Sequence, residues 1–428
     1  MKGHRIVEGI KADIEGSSKE LTELCSKLVQ FPTVVPPGYT RECVEFIEAY
    51  FRSLGLETEV HERRKDKTNL CVKVPGKRKG KILWLGHLDV VPEGSEPWKY
   101  PPFSGKVMEG LVYGRGSSDM KGACASAMVA AKVLASLEES ERSSVEFWFT
   151  CDEEVGAVDG ARWLAESGRL KGDLCIIGDS SGGMPSEPSM DLGCKGALRV
   201  TLKARGRTAH GSQPYLGDNA IDKLIDAIGY VKEIGSFRLD VPEELEPVLK
   251  TSVEFLLRHY KLTESQKADV TKVFHYPSVS LNIIRGGVKI NVVPDAAEAL
   301  FDIRITPGAD IEAVKGRILE LLKASGLEGI DAEFEVTGFG GYYEKPDLVY
   351  VDSLKRAVEL ATGRTPILKI ITGGTDGIFT RKIAGIPSLG FGAGLPGMAH
   401  AKDEYVTVES MVMAAKVYAI YPVIFDVP

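Results

Sequence analysis

Apolar residues recur at helical spacing over residues 18–28 and 41–54, and strand-like runs follow at 69–74 and 81–86. The second run stops at Gly86-His87-Leu88-Asp89. A glycine-rich stretch, 114–119, then opens a helix of small apolar residues over 122–137, suited to close packing on a sheet. Runs at 145–150 and 174–178 read as buried strands, and each leads directly into acids: Cys151-Asp152-Glu153-Glu154 and Asp179. Strands separated by helices, with polar residues just past the strand ends, predict a mainly parallel α/β sheet whose site lies at the strands' carboxyl ends. The pattern changes near Lys195. A strand at 197–204, a helix at 220–234, strands at 278–284 and 297–305, a helix at 311–324 and a strand at 332–336 give the order βαββαβ, a split βαβ unit with its own antiparallel sheet. A charged stretch at 241–273 interrupts it. After Gly338-Phe339-Gly340-Gly341, a helix at 349–361 and short strands near Ile367 and Ser388 return to the α/β style. The expected fold is therefore an α/β domain, residues 1–196 and 338–428, interrupted by an α+β domain at 197–337. An insert of about 140 residues lies within usual domain sizes.

Composition changes this picture little. Of the 428 residues, 43% are apolar and 26% charged, with a net charge of −7 and dispersed basic residues, so neither disorder nor nucleic-acid binding is indicated. The one basic run, Lys77-Arg78-Lys79, follows Pro75-Gly76 and reads as a solvated turn. No apolar run approaches the roughly 20 residues that span a bilayer. The amphipathic, charged N-terminus has no apolar core of a secretory signal. Seven widely spaced cysteines form no CxxC pair and read as small buried hydrophobes. A cytoplasmic protein with no membrane or nucleic-acid partner is expected.

The candidate chemistry lies at the strand ends. Of seven histidines, His4, His61, His259 and His275 sit in terminal, charged or helical contexts that favour structural roles. His87 ends an apolar strand, and Asp89, on the same face of extended chain, can hold its second ring nitrogen. Asp119 precedes the small-residue helix and, taken alone, is better read as an N-cap. Three adjacent carboxylates, Asp152 to Glu154, are costly at a buried strand end unless a metal or hydrogen bonds compensate them. Asp179 repeats the motif of apolar strand, glycine and acid. His400 lies in a Gly/Pro-rich loop after the strand near Leu389. Each is ambiguous singly. Together they offer imidazole and carboxylate donors without cysteine, a set suited to zinc, manganese or cobalt, and paired ions can polarise a carbonyl and supply hydroxide near neutral pH.

These residues resemble a known family. Gly86-His-Leu-Asp-Val-Val-Pro92, Gly114-Arg-Gly-Ser-Ser-Asp-Met-Lys-Gly122, Asp152-Glu-Glu-Val-Gly156 and the late His400 are similar to motifs of the di-zinc aminoacylase/carboxypeptidase metallopeptidases, which include acetylornithine deacetylase, succinyl-diaminopimelate desuccinylase and glutamate-releasing carboxypeptidases. The resemblance spans nearly the whole chain. It implies two divalent ions, zinc with cobalt or manganese as alternatives. His87 and Asp179 would ligate one, Glu154 and His400 the other, with Asp119 between them. Glu153 would be the general base acting on a bridging hydroxide, and Asp89 would orient His87. A cis peptide is implied after Asp119. The inserted domain matches the family's lid and dimerisation domain. In it His210, of Thr208-Ala-His-Gly-Ser212, would stabilise the oxyanion, and Asn291 and Arg304 would contact substrate, although an Arg304–Asp302 ion pair is an equally good reading. Gly374 and Thr375, of Gly373-Gly-Thr-Asp-Gly377, resemble a substrate-side loop of the desuccinylases and carboxypeptidases. The implied activity is hydrolysis of an N-acyl amino acid by a homodimer, with a dipeptidase or carboxypeptidase on small peptides as the alternative. The resemblance supplies no role for residues 237–276.

Overall fold

The computed structural model describes residues 2–425. Three helices lead the chain, α1 (Lys2–Gly16), α2 (Ser18–Val29) and α3 (Arg41–Ser53), and each turns one apolar face inwards, as Leu21, Leu24 and Leu28 do in α2. Strands β1 (Glu57–Glu62), β2 (Thr68–Val74) and β3 (Arg78–His87) follow, then the short pair β4 (Lys106–Met108) and β5 (Leu111–Tyr113). Helix α4 (Gly122–Ser136), rich in alanine, is buried along nearly its whole length. After it come β6 (Ser143–Thr150), α5 (Ala161–Glu166), β7 (Leu174–Ile177) and the long β8 (Ser189–Arg205).

The inserted segment holds α6 (Ala220–Lys232), α7 (Glu246–His259), α8 (Glu264–Lys272), β9 (Ser278–Gly286), β10 (Ala296–Ile305), α9 (Ile311–Ala324) and β11 (Ile330–Tyr343). The chain closes with α10 (Val349–Thr362), β12 (Ile367–Ile371), α11 (Gly377–Lys382), β13 (Ser388–Gly390), β14 (Tyr405–Thr407) and α12 (Val408–Ile424).

Neighbours β6, β3, β7 and β13 run parallel, while β2 and β1 extend one side antiparallel. Strand β8 is the turning point. Its first half pairs parallel with β12; its second half pairs antiparallel with β10 and β11, and β9 lies outside β10. The expected antiparallel βαββαβ unit is thus present in the order β11-β8-β10-β9, but it is continuous with the parallel sheet in one eleven-stranded sheet. Only the second half of β8 is legible in the sequence, because Ser189 to Leu198 are buried on both faces and do not alternate. Helix α12 escaped for the same reason: it is apolar all round, buried and carries Pro422.

Four apolar clusters form among the described residues, and two of them are the largest. The larger lies on the parallel sheet and includes Trp84, Phe147, Phe149, α4 and α12. The smaller draws only on residues between Leu198 and Phe334, which supports, as a proposal, the division into 1–196, 197–337 and 338–428. Residues around α7 are the exception, since Leu245, Val248, Leu249 and Phe274 join the larger core. All seven cysteines are buried and free, and no helix among the described residues is long and apolar enough to cross a membrane.

Candidate metal centre

Three parallel strands end side by side. The last residue of β3, His87, lies opposite Thr150 at the end of β6, and β7 flanks β3 on its other side. Their carboxyl ends deliver His87, the Asp152–Glu154 turn and Asp179 to one edge of the sheet. The glycines before His87 and Asp179 have a steric cause. A Cβ on Gly86 would sit 2.4 Å from Met120 Cε and 2.6 Å from Trp84 Cη2; one on Gly178 would sit 2.5 Å from Trp84 Cζ2 and 2.7 Å from Met120 Cε. The strand ends close over Trp84 and Met120 only without side chains there.

Asp119 stands at the middle. Its Oδ1 is 3.1 Å from His87 Nε2 and its Oδ2 3.3 Å from His400 Nε2. His400 Nε2 is also 3.1 Å from Glu154 Oε1. One donor atom each from His87, Asp119 and Glu154 fall within 4.8 Å of one another. The Asp119–Met120 peptide is cis.

Buried partners aim these groups. Asp152 takes a left-handed conformation (φ 71°) at the start of the turn, where its carboxylate accepts from Lys67 Nζ at 2.5 Å and from the Asp159 N–H at 3.2 Å. Asp89 works differently from expectation. Its backbone carbonyl, at 3.0 Å, holds His87 Nδ1, while its carboxylate, 3.8 Å from that nitrogen, accepts the N–H groups of Glu153 and Glu154 at 3.1 Å each. The carboxylate is occupied because two consecutive N–H groups at a turn make a better-matched donor pair.

Two further groups were not singled out in the sequence, although Asp376 lies within the Gly373–Gly377 motif. Glu404, fully buried, accepts from the N–H groups of Gly116, Ser118 and Asp119 at 2.8–3.0 Å and from Arg115 Nη1 at 2.7 Å. Arg115 also donates to the backbone carbonyl of His400 at 3.2 Å, tying the Asp119 turn to the His400 loop. Glu404 reads in sequence as one more charge in Lys402-Asp403-Glu404. Asp376, beside the predicted Gly374 and Thr375, is buried; Oδ2 lies 3.4 Å from Thr150 Oγ1 and Oδ1 has no hydrogen-bond partner.

The electrostatics follow from crowding acids into a largely buried site. Burial, then the neighbouring Asp376, Asp179 and Glu154, raise Glu153 well above the usual carboxylate range, with His87 opposing. Burial, then Asp119, likewise raise Asp179. Asp119 moves the other way: its bonds to His400 and His87 overcome burial and hold it low. His400, paired with Asp119 and Glu154, is raised to about 10. A divalent cation relieves this repulsion and takes imidazole and carboxylate donors, so the residues present fit one.

Asp376 gives a measurable consequence. Burial, then the Asp89 charge, push it from 3.8 to about 7, against the pull of His87. A raised carboxylate costs the folded state stability once ionised, so the penalty grows between about pH 4 and 7 and is complete above 7. Metal-free Asp376→Asn should therefore unfold at higher urea than wild type at pH 8, and the difference should vanish at pH 4.

Of the remaining predicted residues, His210, Asn291 and Arg304 make contacts outside this cluster. His210 is on an exposed lid segment, with Nδ1 2.7 Å from Ser212 Oγ. Asn291 is exposed, and its carbonyl accepts from the Gly211 N–H. Arg304 donates to both carboxylate oxygens of Asp302, at 2.7 and 3.1 Å, so the ion-pair reading holds here. Thr375 is buried against Cys194, and Gly374 is exposed.

Comparison with known proteins shows the family and the fold. The sequence pattern of peptidase family M20/M25/M40 matches residues 83–421. A succinyl-diaminopimelate desuccinylase of Methylocella silvestris is 30% identical over 93% of this chain and 96% of its own. Among solved structures, an M20 family metallo-carboxypeptidase from Sulfolobus solfataricus superposes with a TM-score of 0.74 at 22% identity, over 95% of this chain and 98% of that one. Human carnosine dipeptidase 1 superposes with a TM-score of 0.73 at 16% identity, over 98% of each. At these identities the two structures speak for the fold.

Proposed function

Since this chain belongs to peptidase family M20/M25/M40, a family of metallopeptidase-type hydrolases, we propose that it cleaves the amide bond of an N-acyl amino acid at a two-metal centre. What supports this reading is the meeting of His87, Asp119, Glu154 and His400 at hydrogen-bond distances beside a half-buried Glu153. The relative at 30% identity, a desuccinylase, favours an acyl group such as succinyl.

His87 and Asp179 would hold one ion and Glu154 and His400 the other, with Asp119 serving both. Bound zinc, cobalt or manganese would supply Lewis-acid polarisation of the carbonyl and a water acidic near neutral pH. Glu153 would take a proton from that water and return one to the departing amine nitrogen. Its raised proton affinity suits the second task, and Asp89 fixes its backbone. His210 would steady the oxyanion. Because it is exposed and engaged with Ser212 in its own chain, it would serve a partner subunit's site in a homodimer joined through the lid. Val288 and Ile290, 93% and 103% exposed near the edge strand β9, support such a join. Asn291, Gly374, Thr375 and Arg304 would contact substrate. Arg304 would share Asp302 with the substrate carboxylate or release it.

A screen of acetyl-, succinyl- and aminoacyl-amino acids with added zinc or cobalt tests the proposal. Acyl-amino acids should be cleaved, a chelator should abolish cleavage, and the active species should sediment as a dimer. Faster cleavage of dipeptides than of every acyl-amino acid would replace this reading with a dipeptidase. No cleavage of any would refute it.

A further inference from the structure

Helix α7 belongs in sequence to the lid segment, yet it is seated on the metal-binding unit. Thr251 Oγ1 donates to the Leu368 carbonyl at 2.5 Å, and the Ile370 N–H donates to Ser252 Oγ at 2.9 Å, so α7 is bonded along β12. Its last turn then reaches two loops. Arg258 pairs with Glu187, and His259 Nε2 lies 2.5 Å from the other oxygen of that carboxylate. Glu187 sits in the loop between β7 and β8 that begins with Asp179. Next along, the Tyr260 ring lies against Gly397, 3.8 Å from where a Cβ would stand. Gly397 is in the loop that carries His400. The two loops also meet directly, where the Gly183 N–H donates to the Gly394 carbonyl at 2.9 Å.

A second line of contacts runs inside. The Phe255 ring of α7 packs on the Lys369 ammonium, 5.3 Å away. Lys369 pairs with the buried Asp191, which accepts from Ser180 Oγ, the neighbour of Asp179. The helix therefore bears on the Asp179 loop from both its exposed and its buried sides.

We infer that α7 is a positioning element of the metal centre: Arg258, His259 and Tyr260 latch the Asp179 loop to the His400 loop and hold their separation. The inference rests on the proposal that Asp179 and His400 ligate metal. A site whose ligands come from separate loops loses affinity when their spacing is not maintained. None of these latch residues touches the reacting atoms, so their effect passes through the loops. The segment at 237–276 thereby acquires a role that no motif predicts.

The test uses the full chain with Glu187→Gln, which removes the shared carboxylate charge, and Tyr260→Ala, which removes the ring that lies against Gly397. In metal-free protein, amide exchange across residues 180–187 and 394–401 should quicken about threefold or more. Cobalt should bind about 3–10-fold more weakly, and Glu187→Asp should recover part of that loss. The urea midpoint should stay near wild type, because Arg258 and Tyr260 are substantially exposed. Unchanged exchange in both loops, or faster exchange with unchanged cobalt affinity, would overturn the inference and leave α7 as a cover for β12. Wild type that binds cobalt but cleaves no acyl-amino acid would refute the proposed reaction and leave the latch standing.

Discussion

Glu153→Gln protein should keep its metal and lose turnover by about 10³-fold, within the usual range for removing a general base. The side chain is nearly isosteric, and the Glu153 backbone N–H remains bound to Asp89, so the turn that also carries Glu154 should not move. Glu153 is close enough to the cluster to be raised by Asp376, Asp179 and Glu154, yet among the described residues its side chain makes no hydrogen bond to either histidine. That is the placement of a proton carrier and not of a ligand. Metal content by atomic absorption and kcat on the best acyl-amino acid are the two readouts. Full activity would remove Glu153 from the mechanism. Loss of metal together with activity would make it a ligand.

Asp119→Asn should abolish stable metal loading. One carboxylate spans both histidines, with an oxygen 3.1 Å from His87 and the other 3.3 Å from His400. An amide offers one weaker acceptor and places an N–H₂ where the second donor is needed. Zinc affinity should fall by more than about 100-fold, beyond the loss typical of removing a group behind the ligands. Stabilisation by metal should fall with it. At 100 times the dissociation constant, one bound ion adds about 2.7 kcal/mol to the folded state, so the wild-type melting temperature should rise with zinc while that of the variant should not. A variant that still loads two equivalents would remove Asp119 from the centre.

These two predictions concern residues that local pattern could nominate. His87, Glu154 and Asp179 stand immediately past apolar strands, and a parallel sheet brings its carboxyl ends together whatever its other details. The glycines before His87 and Asp179 belong to the same signal, and the structure supplies their cause in Met120 and Trp84. Asp119 and His400 were less visible, since an N-cap and a loop histidine are ordinary features. They stand out only together with the strand-end acids, and the resemblance of whole motifs adds to that signal.

What local pattern determined about this protein was the α/β order, the βαββαβ insert and the strand-end acids, because periodicity and strand termini are properties of neighbouring residues. What only the tertiary structure decided were the groups whose partners lie far along the chain. Glu404 organises the Asp119 turn from 285 residues away, and Asp89 turned out to serve Glu153 and Glu154 with its carboxylate and His87 with its carbonyl. Helix α7, within the inserted segment, packs instead on β12 and on the loops that carry Asp179 and His400. In each case a buried polar group must find a partner when water is excluded, and which partner is in reach depends on how the sheet folds the chain back on itself.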